Sequence, residues 1–297
     1  MADNTLTREE PTNARRKKER RSVVILKRLL RNRSAVIGLV IIAFLALLAI
    51  FAPIIAPYGY AEANFYDAFQ PPSREHLFGT DELGRDILSR IIYGGRDSLR
   101  IGIIAVAVSS VVGIAIGSVC GYFGGAVDSI VMRIVDIFQA IPGLVLAIAI
   151  CASFGPGFNN LILSLSISSI PGYVRMSRAS VLNIRKSEYL EAAVATNCSN
   201  LRIIVKHLLP NALSPLIVQM TMGVAQAVLM GASMSFIGLG VQPPKPEWGA
   251  MLSGARSYLR SYPHMCIFPG VTIMITVLSL NMIGDGLRDA LDPKLKD

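Results

Sequence analysis

At 297 residues, with 52% hydrophobic and only 16% charged positions, the chain is too apolar for a soluble domain of its size, in which about a quarter of residues carry charge. That composition excludes an ordinary soluble enzyme and indicates an all-α integral membrane protein. The net charge of +9 is not a nucleic-acid signature, because its densest run, Arg15-Arg16-Lys17-Lys18-Glu19-Arg20-Arg21, stands directly before a long apolar run and reads as a topology determinant or lipid contact.

In chain order, residues 1–33 form a basic segment and residues 34–56 a first membrane helix, built on the uncharged run Ala35 to Ile55. The leader is long for a signal peptide, and the run exceeds the ~7 to 15 apolar residues of a signal core, so an uncleaved anchor is expected. A loop follows at 57–98. Further uncharged runs, Ile101 to Val127, Ile137 to Val174, Leu208 to Pro244 and Met265 to Gly284, are each long enough to cross a ~30 Å hydrocarbon core. The second of these contains Phe154-Gly155-Pro156-Gly157-Phe158-Asn159-Asn160, a turn-rich break that divides it into two spans, giving six helices. Pro142 and Pro171 should bend spans three and four. Arg175 and Arg178 should snorkel to an interface, and Arg133 and Asp136, three residues apart, can pair.

With a cytoplasmic N-terminus, 21 of the 29 basic residues fall on the inner side. The positive-inside rule therefore places both termini, the 287–297 tail and the polar segment around Glu191 in the cytoplasm. The cysteines at 120, 151, 198 and 266 and the histidines at 76, 207 and 264 are scattered, without the spacing of a disulfide framework or zinc site.

The inner segment 186–210 holds Glu191-Ala192-Ala193-Val194 and, further on, Leu209-Pro210. Leu190, Ala193 and Val194 share one helical face, and Leu201, Ile204, Val205 and Leu208 another, so two short helices should meet near Asn197. On the outer side, Gly79-Thr80-Asp81 and Gly84-Arg85-Asp86 carry turn and N-cap chemistry opening a helix at about Ile87. A second outer element has Trp248, Met251, Leu252, Ala255 and Leu259 at helical spacing, which suits a helix lying in the outer interface with Trp248, Tyr258 and Tyr262 as anchors.

These motifs resemble the membrane permeases of dipeptide, oligopeptide and nickel ABC importers. The resemblance rests on the Glu191-Ala192-Ala193 to Leu209-Pro210 segment, on the run from Phe78 to Leu99, on Met234-Ser235-Phe236-Ile237-Gly238-Leu239-Gly240 with the following Pro243-to-Gly249 stretch, and on the Gly284-to-Pro293 tail. It implies a five-helix type I importer core at 99–286 plus one N-terminal helix. It also implies a sister permease as heterodimer partner, two ATPase subunits seated on the 186–210 hairpin, and an extracytoplasmic substrate-binding protein. In this family Glu191, Ala192, Ala193, Asn197, Leu209 and Pro210 occupy ATPase-coupling positions. Two departures stand out: Asn197, where the family has Gly, and Asp97, where an apolar residue is expected. Asn is among the non-Gly residues that best tolerate φ > 0.

The dipeptide Gly-Lys of a phosphate-binding loop occurs nowhere in the chain. ATP and magnesium are therefore expected on the partner ATPase, with no cofactor and no catalytic residue here. Gln219, Gln226 and Ser233, spaced by seven, form a polar stripe, as do Thr272 and Thr276. Either stripe can hydrate a pathway or hydrogen-bond neighbouring helices. The rival readings are nickel or other non-peptide cargo within the same family, a secondary transporter, which would need an inverted repeat and buried acids, and a membrane enzyme, which would need a convergent catalytic cluster.

Overall fold

The computed structural model describes residues 21–185 and 187–291; the basic run at 15–20 and the tail at 292–297 lie outside the described residues. The architecture is a helix bundle with α1 (Arg21–Arg31), α2 (Arg33–Ile50), α3 (Ile87–Phe123), α4 (Gly125–Gln139), α5 (Gly143–Phe154), α6 (Phe158–Arg185), α7 (Glu188–Ala195), α8 (Asn200–Phe236), α9 (Trp248–Ala255) and α10 (His264–Leu291). Among the described residues, four helices, α2, α3, α8 and α10, are long and apolar enough to cross a membrane, and the bent pair α4–α5 makes a fifth. The remaining expected span, fourth in chain order, is α6. Its 28 residues are long enough, but Ser164, Ser166, Ser168, Ser169 and three arginines keep it below the same apolar standard.

The bends follow proline, though unequally. At Ala140-Ile141-Pro142 the chain turns by 86°, because Pro142 cannot continue α4 and instead stands as the N-cap of α5. Pro171 stays inside a continuous α6.

The bundle is organised by close helix contacts through small residues. Gly113, Gly117 and Gly121 lie four apart on one face of α3, against Tyr173, Val174 and Val181 of α6, where any Cβ would collide with the partner's backbone or side chains. Ser118 and Ser177 share a hydrogen bond of 3.1 Å across this seam, and Ser177 Oγ donates to the Ile114 carbonyl. Such small-residue faces let dispersion replace the hydrophobic drive that lipid removes. The N-terminal helix α2 docks in the same manner, with Ala35 against Gly286 and Gly38 against the Ser279 carbonyl of α10. Arg96 then donates from Nη2 to the Ile50 carbonyl at 2.8 Å, satisfying an acceptor at the end of α2.

At the end of the bundle opposite α7, a cap is held by acids acting on backbone amides. Asp86 caps α3 through the Ser89 amide (2.7 Å) and meets His76 Nδ1 at 3.0 Å. Asp81 accepts from the Leu83 and Arg85 amides and from Arg85 Nε. Glu247 caps α9 through Ala250 and receives the Ser98 hydroxyl at 3.0 Å. Trp248 is 1% exposed, with Nε1 donating to the Ile91 carbonyl. The interfacial anchor expected for Trp248 is therefore corrected: the ring is a keystone between α3 and α9. Tyr258 and Tyr262 likewise pack on Phe69.

Substituting Gly117→Leu should overpack the α3–α6 seam and cost at least about 1–3 kcal/mol, read as a lower unfolding temperature in detergent. Burial holds the Glu247 carboxyl above the usual range, opposed in part by the Gly249 and Ala250 amides. A folded pKa above the unfolded one contributes stability below the unfolded pKa that is lost as pH rises through the folded pKa. Thermal unfolding scans from acid to neutral pH should show that decline in the wild type and a flatter profile in Glu247→Gln.

Candidate functional site

The hairpin between α6 and α8 has its own small core. Leu190 and Ala193 of α7 are buried with Val181, Ile203, Leu208 and Ala212. The two hairpin helices therefore pack on each other and on the end of α6 rather than hanging free. The turn closes α7 with two capping bonds, Asn197 N–H to the Val194 carbonyl (2.9 Å) and Cys198 N–H to the Ala193 carbonyl (3.2 Å). That pattern needs a left-handed residue after the helix. Asn197 supplies it at φ +57, which explains how Asn stands at a position where Gly is expected.

Val194, expected on the inward face, is instead 58% exposed. Tyr189, Leu201 and Val205 of the hairpin are exposed as well, and the exposed Glu191 lies on the same short helix as Val194. Ala193 faces inward, so its small size serves the packing of the hairpin itself; of Ala192 the backbone alone is described, within α7. Leu209 is half-buried and Pro210 exposed. Just before them, Ile203–Leu208 widens into a π-helical turn, consistent with a proline that cannot donate to the carbonyl four residues back. Asn211 Nδ2 donates to the His207 carbonyl in the same turn, at 2.8 Å.

Two ion pairs tie α4 to α6 near this hairpin. Arg178 grips Asp128 with both Nε and Nη2 (2.5 and 2.6 Å), and Arg175 Nη2 meets Asp136 at 2.7 Å. The i,i+3 pairing of Arg133 with Asp136 is thus replaced by a pairing between helices. Planar guanidinium groups suit this bidentate grip.

A polar cavity of about 470 Å³ opens among α3, α4, α6, α8 and α10, and Gln219 and Gln226 both line it. The rest of the predicted stripe does not. Ser233 donates to the Leu229 carbonyl and lies in an apolar groove with Leu144, Ile148 and Phe236. Thr272 and Thr276 donate to the Phe268 and Thr272 carbonyls of their own helix. All four cysteines are free, and among the described residues no group of three or more His, Cys, Asp or Glu is placed to hold a metal.

The family described as "Binding-protein-dependent transport system inner membrane component" matches residues 113–297, and the N-terminal TM domain of oligopeptide transport permease C matches residues 23–72. The chain belongs to this family of inner-membrane transport components. Among its relatives, the permease is 47% identical to the dipeptide transport system permease protein DppC of Alkalihalophilus pseudofirmus, over 91% of this chain and 89% of that one. It is 43% identical to the di/tripeptide transport system permease protein DppC of Pseudomonas aeruginosa, over 90% of each chain. It is 42% identical to the glutathione transport system permease protein GsiD of Pectobacterium atrosepticum, over 91% of this chain and 90% of that one. The solved inward-facing MetNI methionine ABC transporter shares the fold, with a TM-score of 0.57 at 22% identity, over 68% of this chain and 96% of that one. The permease is accordingly a translocation subunit of an ABC importer, with ATP hydrolysis on a separate subunit.

Sequence reasoning overlooked the other polar groups of the permease cavity, Gln139, Ser168, Ser169, Tyr173 and Asn281. Carboxamides inside or beside apolar runs were a visible signal. Their convergence was not, because they sit on helices far apart in the chain. Replacing Asn197 by Gly should leave the hairpin intact. Asn197→Val should weaken the turn by about 1–2 kcal/mol, seen as faster amide exchange confined to α7.

Proposed function

We propose that this permease carries short peptides inward as one half of a heterodimer with a sister permease. Two ATPase subunits engage the 186–210 hairpin, and a substrate-binding protein docks on the cap formed by the 57–98 loop and α9. The peptide reading is supported by relatives named for dipeptide, di/tripeptide and glutathione transport, which favour it over nickel. Both termini and the hairpin are assigned to the cytoplasm by charge bias. On this reading α6 is the remaining span, fourth in chain order, its serines and arginines tolerated because it is enclosed by α3, α5 and α8. The five core helices occupy residues 99–286, with the 34–56 helix added on the outside.

The observation that carries the coupling role is the hairpin's position in the chain. It joins α6 directly to α8, and those two helices bear Ser168, Ser169, Gln219 and Gln226 on facing walls of the cavity. A hairpin with its own core moves as a body. Its displacement by ATPase closure is passed to both cavity walls, and through Arg175 and Arg178 to α4. The exposed side chains of Tyr189, Val194, Leu201 and Val205 offer the ATPase apolar area, and Glu191 adds a charge. ATP and magnesium belong to that partner.

The direct test is gentle-detergent purification of the tagged protein from its host, followed by mass spectrometry. A second permease and a protein with a phosphate-binding loop should copurify, whereas recovery of the chain alone as a homo-oligomer would contradict the proposal. Glu191→Arg should insert normally yet abolish ATP-driven uptake and ATPase copurification; undiminished uptake would remove the docking role of α7.

A further inference from the structure

We infer that the cavity among α3, α4, α6, α8 and α10 is a cargo station in which four carboxamides, Gln139, Gln219, Gln226 and Asn281, take up the peptide bond of a short peptide and leave the charge of its side chains unread. This deepens the peptide-transport reading and rests on it.

The cavity wall contains no Asp, Glu, Lys, Arg or His. The four carboxamides come from three helices, and none of them is hydrogen-bonded to another described residue. Gln139, Gln219 and Gln226 are exposed and Asn281 is half-buried, so their amide groups stand open to whatever enters the cavity. The serines and threonines elsewhere in the spans are instead occupied in donating to carbonyls of their own helices, as Ser164, Ser166, Thr221 and Thr272 do. Four carboxamides facing one open space are placed to hydrogen-bond a polar occupant.

A peptide bond is the complementary occupant. Each carboxamide offers two N–H donors and a carbonyl acceptor, and a peptide unit presents one donor and one acceptor in a plane, so pairing works in either direction. Met222 and Met230 line the same space and supply the adaptable apolar surface that varied side chains need. A nickel ion would instead call for imidazole, thiolate or carboxylate ligands, and the wall has none.

If the carboxamides touch passing cargo, a charge placed among them must create a charge preference. The test uses the assembled importer in its host, with Gln226→Glu or Gln226→Lys on the chromosome. Initial uptake rates are measured for alanylalanine, alanylaspartate and alanyllysine, each normalised to immunoblotted membrane permease. Relative to alanylalanine, Gln226→Glu should depress alanylaspartate about tenfold while sparing alanyllysine, and Gln226→Lys should do the reverse. Gln139→Glu, at an exposed helix end, repeats the acidic arm should the Gln226 variants fail to insert. Wild-type proportions among the three peptides in every inserted variant, or equal loss of all three, would overturn the inference. Unchanged uptake of all three after deletion of the permease would instead overturn the transport reading beneath it.

Discussion

How closely α3 can lie against α6 governs the rest of this bundle. In lipid the hydrophobic effect gives helices no reason to associate, so contact must come from dispersion and interhelical hydrogen bonds. Gly113, Gly117 and Gly121 remove the side chains that would hold the backbones apart, and Ser118 and Ser177 hydrogen-bond across the gap they leave. Because α3 and its neighbours enclose α6, α6 can be the most polar long helix of the set. Ser164 and Ser166 are buried and hydrogen-bonded to carbonyls a turn back. The same helix then has polar groups available for the cavity.

With α6 locked along α3, the hairpin at its end has a fixed base, and its core residues Leu190, Ala193 and Ile203 keep α7 from sliding on that base. The other arm runs without interruption into α8. At the base of α8 lies the π turn at Ile203–Leu208, and Pro215 further along removes another hydrogen bond from the ladder. Proline at 210 and the compensating Asn211 bond suit a joint that bends without breaking.

The cap obeys a different logic. Its acids, Asp81, Asp86 and Glu247, are committed to backbone amides at turns and helix starts, and Trp248 is sealed beneath them. Charge there serves rigidity. A firm surface over a movable bundle is what a docking partner needs in order to sense or set the state of the helices below.

Much of this was legible in the sequence, since the physics involved is local. Apolar run length fixes membrane-spanning helices, Gly-Thr-Asp and Gly-Arg-Asp fix the turns before Ile87, and the tolerance of Asn for φ > 0 fixes the hairpin turn at Asn197. Other features depended on which helix faces which. Arg175 and Arg178 choose Asp136 and Asp128 over nearer neighbours along the chain, Val194 turns outward, Trp248 turns inward, and Ser233 and Thr276 leave the polar stripe to bond their own helices. A heptad spacing gives the direction of a side chain about its own axis but not the neighbour it will meet. The sequence by itself determined the helices, their ends and the polar hairpin, because those follow from interactions within a few residues. Only the tertiary structure decided which carboxamides share a cavity and which surfaces remain open, because these depend on the relative rotation and bending of helices that are distant in the chain.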